Sequence, residues 1–160
     1  MPAGSTLQIV THSGTNESVL SSTSNTWGET DLTKAITPTY DNSKIMIFMC
    51  TNISWTNDSS DGGFAVRIRR NIAGGATEVY PDNLSRTEDG QSLTGVVYQE
   101  APERVGKEQD NYTFIHLDEP GVADVAVTYT LFVGGHTLDW IQVGGMKFGR
   151  WFIHLLEIKG

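Results

Sequence analysis

A single cysteine in 160 residues rules out an intrachain disulfide. The chain must therefore be held by packing and hydrogen bonds, and at this length roughly two-thirds of the unfolded surface can be buried, enough for one domain. That cysteine, Cys50, lies in the most apolar segment and reads as a buried small hydrophobe rather than a reactive thiol. Basic residues are scarce. Eleven Lys and Arg stand against 19 Asp and Glu, a net charge of −8, and such a surface repels phosphate backbones. General nucleic-acid binding and a polybasic membrane anchor are both disfavoured. No window approaches the roughly 20 apolar residues of a membrane span. The opening Met1-Pro2-Ala3-Gly4-Ser5-Thr6 lacks the basic and apolar regions of a secretory signal. The expectation is a soluble protein made in a cytoplasm, with no membrane partner.

Catalytic signatures are missing as well. There is no Gly-x-Ser-x-Gly elbow, no His-Glu-x-x-His pair and no phosphate-cradling glycine loop. His12, His116, His136 and His154 are widely separated, a pattern of isolated strand histidines rather than of a metal site. Asp58 and Asp61, with their neighbouring Asn57, offer oxygen ligands for calcium, but the spacing misses the EF-hand pattern. A solvated turn, in which Asp and Asn bond their own backbone, is the better account of the stretch Asn57–Gly63. A glycosidase needs two carboxylates across a cleft, and no pair is singled out by its neighbours. The expectation is no catalytic residue, no metal and no cofactor.

What the chain does have is Gly, Ser, Thr and Asn, the composition of short strands joined by turns. Strand signals fall at Thr6–His12, Glu17–Ser21, Trp27–Thr39 with a break near Asp31, Lys44–Trp55, Gly63–Arg70, Thr77–Tyr80, Ser92–Glu100, Tyr112–Leu117, Val122–Val133, Thr137–Val143 and Arg150–Ile158. Two patterns are clean. In Gly63–Arg70, Phe64, Val66 and Ile68 oppose Ala65, Arg67 and Arg69; in Val122–Val133, Val125, Val127, Tyr129, Leu131 and Val133 share a face. Such alternation marks strands with one buried side. No window supports an amphipathic helix. About ten antiparallel strands at regular spacing read as an all-β sandwich or barrel. Residues 1–14 are expected to be a short arm or first strand, residues 15–160 a single β-sandwich domain, and Glu100–Asp110 a charged loop.

Two strands break the alternation. In Lys44–Trp55, Met46, Phe48 and Cys50 load the face opposite Ile45, Ile47 and Met49; in Arg150–Ile158, Phe152, Leu156 and Ile158 oppose Trp151, Ile153 and Leu155. A strand apolar on both sides is either central or covered by another chain. Met46, Phe48, Phe152 and Leu156 are thus candidates for a subunit interface. Arg67, Arg69 and Arg70 form the one dense basic cluster, readable as a docking patch for an acidic partner or as a solubilising strand face. Trp27 and Trp140 are the tryptophans least committed to core-like runs and are candidate glycan contacts. Five Asn-x-Ser/Thr sequons, including one at Asn52 inside the strongest strand, are best read as coincidence in a Ser/Thr/Asn-rich chain.

Several segments, taken in order, resemble a family. Ile36-Thr37-Pro38-Thr39 with Asn42-Ser43-Lys44-Ile45-Met46-Ile47, then Gly63–Arg70, then Leu117-Asp118-Glu119-Pro120 with Val127-Thr128-Tyr129-Thr130-Leu131, and finally Leu155-Leu156-Glu157-Ile158, are similar to β-sandwich domains of tailed-bacteriophage structural proteins. The resemblance runs from about Thr26 to the last residue. It implies a jelly-roll-like sandwich, commonly trimeric, on the outside of a virion, and transfers no functional residue. The expectations that follow are a homotrimeric capsid decoration (cement) protein on the phage head, contacting the major capsid protein, or alternatively a tail-fibre or receptor-binding domain that recognises host glycans through Trp27 and Trp140.

Overall fold

The computed structural model describes residues 2–15, 18–20, 27–56, 63–80, 85–88, 91–94, 99–100, 107–136, 140–144 and 150–160. The strands are β1 (Thr6–Gly14), β2 (Ser18–Leu20), β3 (Trp27–Ile36), β4 (Lys44–Thr56), β5 (Gly63–Ile72), β6 (Gly75–Tyr80), β7 (Ser85–Glu88), β8 (Gln91–Thr94), β9 (Gln99–Glu100), β10 (Lys107–Asp118), β11 (Val127–His136), β12 (Trp140–Val143) and β13 (Trp151–Ile158). They build two antiparallel sheets packed as a β-sandwich, with β7 and β8 pairing apart.

The long strand β4 organises the first sheet. One of its edges pairs with β13 over Lys44–Cys50 and with β12 over Ile53–Thr56, while the other edge pairs with β10 along Ile45–Thr56. Strand β1 lies outside β13, and β2 outside β12. The second sheet runs β3-β11-β5-β6, with β9 on the start of β5. The principal pairings are nested: β1 with β13, β3 with β11, β4 with β10, β5 with β6.

Period-two patterning fills the space between the layers. Ile45, Ile47, Met49, Ile53 and Trp55 of β4 meet Trp151, Ile153 and Leu155 of β13, facing Phe64, Val66, Ile68 and Val127, Tyr129, Leu131, Val133 of the second sheet. Each large apolar side chain so buried contributes about 1.5–3 kcal/mol. Trp55, Phe64, Tyr112 and Phe114 form a chain of ring contacts with centroids 4.9–6.3 Å apart. Gly14 faces Trp151 across the β1–β13 pair so closely that a Cβ there would overlap the indole.

Several boundaries differ from the sequence expectation. The break near Asp31 is a register shift within a continuous strand, opposite Thr130–Phe132. Strand β11 begins at Val127 rather than Val122, and Val125 lies outside it, exposed; the preceding turn holds Asp124 at positive φ. The segment Lys107–Asp110, expected within a loop, belongs to β10, because it pairs in register with Ile53–Thr56. Strand β7 was not foreseen: Ser85–Glu88 is polar and carries no apolar alternation. Backbone hydrogen bonds tie residues 4–5 to Lys159 of the same chain.

Candidate functional site

Two buried carboxylates bind the sandwich together. Glu157, on β13, is fully buried. Its Oε1 accepts from the Thr39 backbone N–H and the Ser43 hydroxyl, both at 2.6 Å. Its Oε2 accepts from Gln8 Nε2 at 2.7 Å and the Thr39 hydroxyl at 3.0 Å. Burial works against the charge, but these donors together outweigh it and hold the carboxyl below its ordinary pKa. The result fastens β1 and the β3–β4 connection to the C-terminal strand.

Asp118, at the end of β10, is the second. Arg70 Nη1 reaches its Oδ1 and Oδ2 at 2.9 and 3.0 Å, and the Tyr129 hydroxyl donates to Oδ2 at 2.7 Å. Burial, then the adjacent carboxylate, push the Tyr129 phenol far above its ordinary pKa. This triad joins the first sheet to β5 and β11 of the second. Thr39, Ser43, Arg70 and Tyr129, from segments distant in the chain, converge on these two carboxylates.

The three arginines are divided by the same geometry. Arg70 follows the inward parity of Val66 and Ile68 and is spent on Asp118. Arg67 and Arg69 lie on the outer face, where Arg67 stacks over Trp27 at 4.0 Å and Arg69 over Phe132 at 4.1 Å, contacts worth about 0.5–1 kcal/mol each at such sites. Trp27 therefore carries a guanidinium on its ring. Trp140, half-buried on β12, belongs to the other sheet, so the structure does not bring the two tryptophans together. Among the described residues no three His, Cys, Asp or Glu side chains gather where they could hold a metal ion; Asp58 and Asp61 lie outside the described residues. Asn52 is buried and bonded to the Asp110 carbonyl and Asn111, which leaves its sequon no room for a sugar.

Met46, Phe48, Phe152 and Leu156 do come together. Antiparallel register lines them into rows across four strands on the outer face of the first sheet. Ile9, Leu156, Met46 and Leu117 form one row; Thr11, His154, Phe48 and Ile115 the next; Ser13, Phe152, Cys50 and Thr113 a third. Ile9 is 58% exposed, Ile115 53% and Leu117 41%, while the central side chains are half-buried by one another. Phe152 and His154 pack ring to ring at 4.7 Å. Ile9, Ile115 and Leu117 were missed in the sequence, although Ile115 and Leu117 alternate against Phe114 in the same way as the residues of β4. The Lys44–Glu119 ion pair, 2.6 Å, borders the face at one end.

No family model matches the chain, and no curated protein matches it in sequence. Among solved structures, the fold is similar to a chain in a structure of infectious bursal disease virus, Gx strain. The TM-score is 0.48 and the identity 8%, over 96% of this chain and 37% of that one. This chain thus spans little more than a third of that chain's length. A likeness so distant decides neither partner nor function.

Proposed function

We propose that this chain is a non-enzymatic virion structural protein, an oligomeric decoration subunit on the head of a tailed bacteriophage that contacts the major capsid protein. The observation that carries the reading is the continuous apolar outer face of the β1-β13-β4-β10 sheet. An exposed apolar patch of a few hundred Å² is often a functional surface that another macromolecule covers.

Two further features support it. We read the nested pairing of β1 with β13, β3 with β11, β4 with β10 and β5 with β6 as supporting a jelly roll, a fold used by viral capsid proteins and also by lectins and cupins. Fold alone does not choose among those. The sequence resemblance to tailed-phage structural domains favours the first. Glu157, Asp118 and Arg70, from its motifs, tie strands and sheets together, as a rigid particle component requires.

Immunogold electron microscopy of intact virions, with antibody raised against the purified chain, tests the proposal. Gold distributed over the head is expected. Gold confined to the tail would overturn the decoration role and leave a fibre or receptor-binding module.

A further inference from the structure

We infer that the apolar outer face of the β1-β13-β4-β10 sheet is the surface through which one copy of this chain binds a second copy. The inference rests on the assembling-subunit reading above but names the contact and its occupant. Four strands about 4.8 Å apart, crossed by rows about 7 Å apart, give a face of about 400 Å². A stable interface buries about 800 Å² on each partner, with an apolar core inside a polar rim. The face has the size of such a core. Within it Thr11 and Ser13 lie on the β1 edge and Thr113 on the β10 edge, and the Lys44–Glu119 pair borders one end, supplying polar margins.

Shape and charge then select the occupant. The face is the outer surface of a sheet, so a small ligand lying on it would be covered on one side only. Its geometric complement is another sheet face at about 10 Å, the packing these strands already use on their inner side. The whole chain carries −8, which opposes self-association in general. Yet the three rows contain no carboxylate, lysine or arginine. Their titratable side chains are His154 and Cys50, and Glu119, at the border, is paired with Lys44. A strongly basic or acidic partner finds nothing there to pair with. A second copy brings an equal apolar, acid-free surface and meets no like-charge contact.

The test uses the full chain in solution. Light scattering at about 100 μM, two decades above a micromolar Kd, is expected to give a multiple of the 17.5 kDa chain mass. Ile115→Lys and Leu117→Lys alter two exposed side chains that folding does not require, so circular dichroism and Tm should hold while the multimer is lost. The native Cys50, in the third row, should react slowly with a maleimide in the wild-type protein and faster in both variants. A monomeric wild type, or a multimer that survives both substitutions, would overturn the inference. Multimer loss in the variants combined with gold absent from the head would sustain it while the decoration role failed. A monomeric wild type whose head binding is abolished by Ile115→Lys would give the face to the capsid, overturning the self-contact alone.

Discussion

Replacing Glu157 with Gln should cost this protein about 2–4 kcal/mol at neutral pH, and the cost should fade in acid. The carboxylate offers only acceptors, and its four bonds come from Thr39 N–H, the Thr39 and Ser43 hydroxyls, and Gln8 Nε2. A glutamine amide turns one oxygen into a donor. The hydroxyls can rotate to accept, but Thr39 N–H and Gln8 Nε2 cannot. Flipping the Gln8 amide would forfeit its 2.6 Å bond to the Thr37 carbonyl. Whichever way the new amide turns, one buried donor meets another. Hydrogen bonds to a charged group are worth about 1.5–3 kcal/mol, and an unsatisfied buried donor costs about 1–3. The pH sign follows from linkage. Glu157 has its pKa lowered in the folded state, so its charge stabilises the fold above the unfolded-state pKa. That contribution is lost as pH falls through the folded value. Urea unfolding of wild type and Glu157→Gln, at one protein concentration from pH 7 down to pH 3, should show the gap narrowing below about pH 4.5. Amide exchange at Thr39 should accelerate in the variant. A gap under about 0.5 kcal/mol at pH 7, or one that does not change with pH, would refute the reasoning.

Four other substitutions probe separate parts of the structure. Arg70→Met strands Asp118 and should cost about 2–4 kcal/mol by chemical denaturation, below the usual 3–5 for a buried pair because the arginine side chain is 18% exposed. Tyr129→Phe removes the other donor to Asp118 for about 1–2 kcal/mol, and the double variant should depart from additivity by more than about 0.5 kcal/mol because both act on one carboxylate. Ala73 and Gly74 both sit at positive φ in the two-residue β5–β6 turn, the geometry of a type I′ hairpin that favours Asn-Gly. Ala73→Asn should therefore raise Tm, by about 0.5–1 kcal/mol of stability. Gly14→Ala drives a methyl into the Trp151 ring and should lower stability by about 1–3 kcal/mol, with a change in tryptophan fluorescence.

Most strands were legible because alternation is a local property. Gly63–Ile72 could be read from Phe64, Val66 and Ile68 alone, and the double loading of Lys44–Thr56 announced that β4 had two faces to cover. The same parity placed Arg70 with the inward residues, a signal overshadowed by its neighbours Arg67 and Arg69. The polar strand Ser85–Glu88 and the charged start of β10 escaped, since their strand character comes from a partner rather than from their own side chains. Val125 misled for the opposite reason. It continues the apolar period into a turn.

The sequence by itself determined an all-β chain, its main core residues and the two strands apolar on both sides, since each depends on residues two apart along one segment. Tertiary structure alone decided which segments lie side by side. The bond from Gln8 to Glu157 joins residues 149 positions apart, and the row Ile9, Leu156, Met46, Leu117 draws on four strands distant in the chain. No local pattern encodes such meetings. They follow from the nested antiparallel pairing, which sets the register and turns scattered half-apolar strands into one continuous face.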